Sequence, residues 1–140
     1  MGTRFLGTNR IKHLIIDFKP ITPRICTVSM KGKFLNYGIV NGLAPTEIPN
    51  DEKDGVFVAL ERAYDISPRN NIKIVHGDFN AQVGKEAVNF PAVSNYSLHS
   101  LRSNNRSRLI QFAVSRNIII GSTFHPHKDF HKSTWRLPFN

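Results

Sequence analysis

The chain has 140 residues, room for one domain with a modest core. Nineteen Lys and Arg stand against ten Asp and Glu, a formal net charge of +9 with the six histidines neutral, and 40% of the residues are hydrophobic. That mixture excludes a disordered tail, a collagen-like repeat and a low-complexity linker, and the single cysteine, Cys26, excludes an internal disulfide framework and any cysteine-based zinc finger.

No apolar run approaches the ~20 residues needed to span a bilayer. The opening Met1-Gly2-Thr3-Arg4-Phe5-Leu6 lacks the apolar segment of a secretion signal, and Leu6 spoils a myristoylation motif. A soluble chain of a reducing compartment, nuclear or cytoplasmic and with no membrane partner, is the expectation. The positive surplus favours a polyanion such as nucleic acid, because neutralising phosphates releases counterions. The basic residues are scattered, however, densest at Arg102, Arg106 and Arg108, and a merely solubilising surface accounts for the charge as well.

In chain order, apolar runs rich in Ile, Val and Phe predict strands at His13–Phe18, Ile25–Met30 and Phe34–Leu43. The second and third are joined by Lys31-Gly32-Lys33 as a hairpin. A helix follows at Asp51–Ile66. Phe57, Leu60 and Tyr64 recur there at three- and four-residue spacing, Asn50, Asp51 and Glu52 suit its amino end, and Pro68 closes it. A strand at Ile72–Val75 is expected to be central and buried. A second helix, Arg106–Arg116, puts Leu109, Phe112 and Ala113 on one face and ends at Asn117; a last strand is expected at Ile118–Phe124. The order is that of a mixed α/β domain with some antiparallel pairing, without internal repeat or linker.

The most informative stretch is Ile72-Lys73-Ile74-Val75-His76-Gly77-Asp78-Phe79-Asn80-Ala81. A hydrophobic strand runs into a glycine and then offers Asp-x-Asn. Side chains two apart in an extended chain point the same way, so Asp78 and Asn80 project together while Phe79 packs into the core. A carboxylate beside an amide can orient a water molecule, the carboxylate accepting its proton and the amide donating to an oxyanion. The same tetrapeptide reads equally as an Asx turn, in which these side chains bond their own backbone. A calcium loop does not fit, because Gln82 and Val83 occupy positions that need an oxygen ligand and a glycine. His76 is expected at the core edge or against a backbone carbonyl, and Cys26 reads as a small buried hydrophobe.

Gly77-Asp78-Phe79-Asn80-Ala81 resembles the central motif of the endonuclease/exonuclease/phosphatase superfamily, and Asn41-Gly42-Leu43-Ala44-Pro45-Thr46-Glu47 is similar to that superfamily's strand ending in Asn-Val-Tyr-Ala-Pro-Thr. The stretches Ile11–Cys26, Asp51–Gly84, Arg108–Thr123 and Pro126–Arg136 look like one branch, the endonuclease domain of non-long-terminal-repeat retrotransposons. The resemblance covers nearly the whole chain, 1–140, as a single partial domain. It implies a four-layer α/β sandwich of two facing mixed sheets with outer helices, and a Mg²⁺-dependent endonuclease that hydrolyses DNA phosphodiesters. It also implies roles for four residues. Asp78 orients or deprotonates the attacking water, and Asn80 bonds the scissile phosphate and that aspartate. Trp135, in Ser133-Thr134-Trp135-Arg136, lies near the DNA-contacting rim, and Asn41 is structural or substrate-contacting.

Departures from the pattern qualify this expectation. The family's Mg²⁺-holding glutamate precedes the part matched by Met1, and its Asp-His segment follows the part matched by Asn140. Leu43 replaces the Tyr or His usual before Ala-Pro. The implied product is one corner of a catalytic site, weak or inactive, or else a transposon remnant that binds nucleic acid through its basic surface. His125, His127 and His131 with Asp129 have the chemistry of a zinc site. His127 and His131, however, belong to a block where the resemblance implies no metal, and zinc is not expected.

Overall fold

Alternating apolar side chains and tight turns in the first third of the chain build three consecutive antiparallel strands. The computed structural model describes residues 3–45, 50–81 and 105–121. A 3-10 turn at Lys12–Leu14 leads into β1 (Ile15–Thr22), followed by β2 (Ile25–Met30), β3 (Tyr37–Leu43), helix α1 (Asn50–Ile66), β4 (Ile72–Asp78) and helix α2 (Asn105–Ser115). The four strands form one sheet in the order β1-β2-β3-β4. The first three are antiparallel, and β4 runs parallel to β3 after the α1 crossover. The domain is a mixed α/β fold.

Several boundaries differ from the sequence expectation for identifiable reasons. β1 runs through Pro20 to Thr22; a proline is tolerated there because among the described residues β1 is an edge strand, and its register shifts just after Pro20. β3 begins at Tyr37 rather than Phe34. The Asn36 carbonyl accepts the Ile72 N–H at 2.8 Å and the Asn36 side chain accepts the Gly32 N–H at 3.3 Å, while Phe34 stands in solvent. β4 extends past Val75 because its pairing with β3 continues through Asn41–His76, Gly42–Gly77 and Leu43–Asp78. Among the described residues β4 is an edge strand, with Ile72 and Ile74 each 42% exposed, and not the central buried strand expected. Ile118–Ile120 forms no strand, and residues 122–124 lie outside the described residues.

One face of the sheet carries the core. Register places Ile25, Val40 and Gly42 on the side of α1, where Phe57, Leu60 and Ala63 pack with Phe112 of α2. Each fully buried Phe or Leu side chain here is worth about 1.5–3 kcal/mol. α2 docks on α1 through ion pairs to three α1 carboxylates, the longest from Arg116 Nη1 to Glu61 Oε1 at 3.5 Å. Arg108 Nε meets Asp54 Oδ1 at 2.7 Å, and Arg116 binds both Asp65 oxygens at 3.2 and 2.8 Å. The hydrogen bonds that Arg116 donates to Asp65 raise its pKa, and burial opposes this. α2 ends in a left-handed Asn117, φ +54°, with the Ile118 N–H returning to the Ala113 carbonyl at 2.8 Å.

The opposite face carries Phe18, Cys26, Val28, Met30, Tyr37, Ile39, Ile72 and Ile74; Cys26 and Val28 are buried there, although no described helix packs on it. Among the described residues the amino-terminal segment meets it, with Phe5 edge-on to Phe18 at 6.3 Å.

Gly77 has φ +144°, and a Cβ there would run into the Gly42 carbonyl oxygen. Gly77→Ala should therefore lower stability by about 2 kcal/mol or more. Gly55, in α1, has nothing within reach of an added Cβ, and Gly55→Ala should raise stability by up to about 1 kcal/mol. Urea unfolding of the pair, with opposite shifts in midpoint, checks the β3–β4 approach.

Candidate functional site

The parallel β3–β4 pair brings two chain ends side by side, and the polar residues gather there. Asp78 closes β4 and is exposed. Its Oδ1 accepts the Asn80 backbone N–H at 3.0 Å, which makes the Asx turn. Asn80 stands at φ +46°, the left-handed region that asparagine enters more readily than most residues. Its Nδ2 donates to the Ala44 carbonyl at 2.6 Å, and the Ala44 N–H donates to the Asp78 carbonyl at 2.8 Å. The turn is thus fastened to the end of β3 by a side-chain and a backbone bond.

Phe79 points the other way. Its ring sits 6.4 Å from that of Phe57 and over Gly42, where an added Cβ would stand 3.0 Å from Cε1. Asp78 and Asn80 stay exposed while Phe79 joins the core. One feature of the motif differs from the implied arrangement. It is the backbone of Asn80, not its amide, that binds Asp78, and one amide hydrogen is spent on Ala44. Among the described residues, the second Asp78 oxygen and the second amide hydrogen make no hydrogen bond.

Asn41, on β3, pairs with His76 across the strands, and its Nδ2 reaches the Arg4 carbonyl oxygen at 3.5 Å. Trp135, His125, His127, His131 and Asp129 lie outside the described residues.

Two open clefts flank the end of β4. The first, about 450 Å³, lies between Val75–Ala81 and the apolar side of α2 with Ile118–Gly121. The second, about 500 Å³, is lined by Thr3, Asn41, Leu43, His76 and Asp78. His76, Gly77 and Asp78 form the ridge shared by both.

Sequence reasoning missed the position of His76, which is exposed on this ridge; its spacing of two from Asp78 was the available signal. Arg108, one of the densest group of basic residues in the sequence, is buried against Asp54. Asp78 is the one acidic side chain among the described residues lining either cleft, and no described cluster of three or more His, Cys, Asp or Glu could hold a metal ion.

No protein-family model matches the chain, and no solved structure matches it. Over 138 residues, 98% of its length, it is similar to craniofacial development protein 2 from Bos taurus at 23% identity. The same protein from Tragulus javanicus is 22% identical over the same share. The chain spans about a quarter of the length of these relatives, 23% and 24% respectively.

Asn80→Ala removes the bond to Ala44 and places an ordinary side chain at positive φ, so it should cost about 1–2 kcal/mol. Asn80→Gly keeps the conformation and should cost less. Chemical denaturation of both variants reads the difference.

Proposed function

We propose that the chain is a partial nuclease-like domain of the endonuclease/exonuclease/phosphatase type, of the retrotransposon branch, that binds DNA and retains one corner of a phosphodiesterase site. The observation that carries this reading is the turn itself. A carboxylate and a carboxamide are held by backbone bonds at the carboxyl ends of two parallel strands, where open α/β sheets take their ligands. Similarity to craniofacial development protein 2 over nearly the whole chain supports a nuclease-related domain.

The same reading supplies a cover for the apolar sheet face. In a four-layer sandwich a second sheet packs about 10 Å from the first.

In this chemistry Asp78 takes a proton from water with its unbonded oxygen, and the remaining Asn80 amide hydrogen donates to a phosphate oxygen. General-base assistance of this kind is worth ~10²–10⁴-fold. The larger share in phosphoryl chemistry comes from cationic or metal stabilisation of developing charge. Mg²⁺, which the family resemblance implies, needs octahedral oxygen ligands and gives up its waters reluctantly. The single carboxylate that the described residues bring to the clefts does not fit that need, so no step here passes through the ion. DNA binding with weak or absent turnover is the consequence.

Duplex DNA should bind with little sequence preference, and affinity should fall by about tenfold or more between 50 and 200 mM salt. Fluorescence anisotropy at the two salt concentrations reads this; salt-independent binding, or none at low salt, contradicts the reading. With Mg²⁺, the 140-residue chain should nick supercoiled plasmid no faster than its Asp78→Ala variant. Asp78-dependent nicking that a chelator abolishes would show that the corner suffices for catalysis.

A further inference from the structure

The sheet face opposite α1 changes character along β3 and β4. β4 presents Ile72, Ile74, His76 and Asp78 on that face in turn, opposite Tyr37, Ile39, Asn41 and Leu43 of β3. The first half is apolar, and the change comes at the Asn41–His76 pair. His76 is exposed and makes no hydrogen bond or ion pair among the described residues. It lines both clefts, and it is the one basic side chain among the described residues that does so.

We propose that His76 is a phosphate-contacting residue, its imidazole donating to a non-bridging oxygen of a DNA phosphodiester seated against Asp78. The inference rests on the phosphodiester reading above and names the group that makes it electrostatically workable. A phosphate placed beside Asp78 alone meets like charge, and the Asn80 amide has one hydrogen left. A donor two residues before Asp78, on the same face, offsets that repulsion. The nearby charges do not replace it. Lys73 faces the other side, with Nζ on the Tyr64 carbonyl at 3.1 Å, and β3 brings only Asn41 and Leu43 opposite His76 and Asp78. Arg4, on the amino-terminal segment, is exposed and lines neither cleft. An Ile at position 76 would continue the apolar stripe; a histidine there interrupts it where the phosphate must sit.

The test uses the 140-residue chain and two probes. The first is a duplex DNA read by anisotropy at low salt. His76→Ala should weaken binding about tenfold, the scale of a hydrogen bond to a charged group. His76→Gln, which keeps a donor, should recover most of that loss, and His13→Ala, in the 3-10 turn before β1, should bind as the wild type does. The second probe is a dithymidine carrying a single phosphodiester, titrated against histidine-ring ¹⁵N–¹H spectra. The ring signal missing from His76→Ala should be the one that shifts.

DNA binding unchanged in His76→Ala, with that signal unmoved, would overturn the role of His76 and leave the DNA-binding reading intact. Failure of the wild type to bind either probe would overturn both. Far-ultraviolet circular dichroism of His76→Ala separates lost contact from lost fold.

Discussion

The close approach of β3 and β4 at Gly42 and Gly77 is the constraint on which the site depends. Two residues without Cβ face each other across a parallel ladder, one of them at a φ that side chains rarely adopt. That contact lets the Phe79 ring lie over Gly42, beside Leu60 and Phe57. With Phe79 anchored, the chain turns at Asn80, and the Asp78 carboxylate and Asn80 amide are bonded into place by backbone groups of the turn and of Ala44. The chemistry at the end of β4 is therefore held from below by an aromatic ring and from the side by three hydrogen bonds. A larger residue at either glycine disturbs both together.

The sheet is built unevenly. α1 and α2 bury one face and are locked to each other by Arg108–Asp54 and Arg116–Asp65. The other face keeps Ile72, Ile74 and Phe18 at 42%, 42% and 48% exposure, an apolar surface that calls for a cover. The polar corner begins where this surface ends, and the fold and the site share one boundary at the Asn41–His76 pair. The proposed second sheet and the proposed phosphate contact both follow from that division, the first from its apolar half and the second from its polar half.

Much of this was legible in the sequence. Phe57, Leu60 and Tyr64 at helical spacing located α1, with Phe57 and Leu60 in its core face and Tyr64 packed against it. The hydrophobic run before Gly77 located β4, and the Asx-turn reading of Asp78-Phe79-Asn80 is the one that forms, with Asp78 and Asn80 exposed and Phe79 against the core. What could not be read was long-range. The position of β4 at the edge of the described sheet depends on which strands pair, and its continuation to Asp78 depends on β3 lying parallel beside it. The burial of Arg108 depends on Asp54, 54 residues away, which no local pattern encodes. Period-two counting back from Asp78 would have placed His76 on the same face; the surrounding hydrophobic run hid it.

Amide hydrogen exchange at Ala44 tests the central claim most directly. Its N–H donates to the Asp78 carbonyl at 2.8 Å, and Ala44 is fully buried, so it reports the fastening of the turn to β3. If the Gly42–Gly77 contact and Phe79 hold the site as one unit with the core, the Ala44 amide exchanges as slowly as that of Val40 in β3, through global unfolding. In Phe79→Ala, Ala44 then loses protection ahead of Val40. An Ala44 amide that exchanges orders of magnitude faster than Val40 in the wild-type chain would contradict the account, because the turn would then open independently of the sheet that is held to fix it.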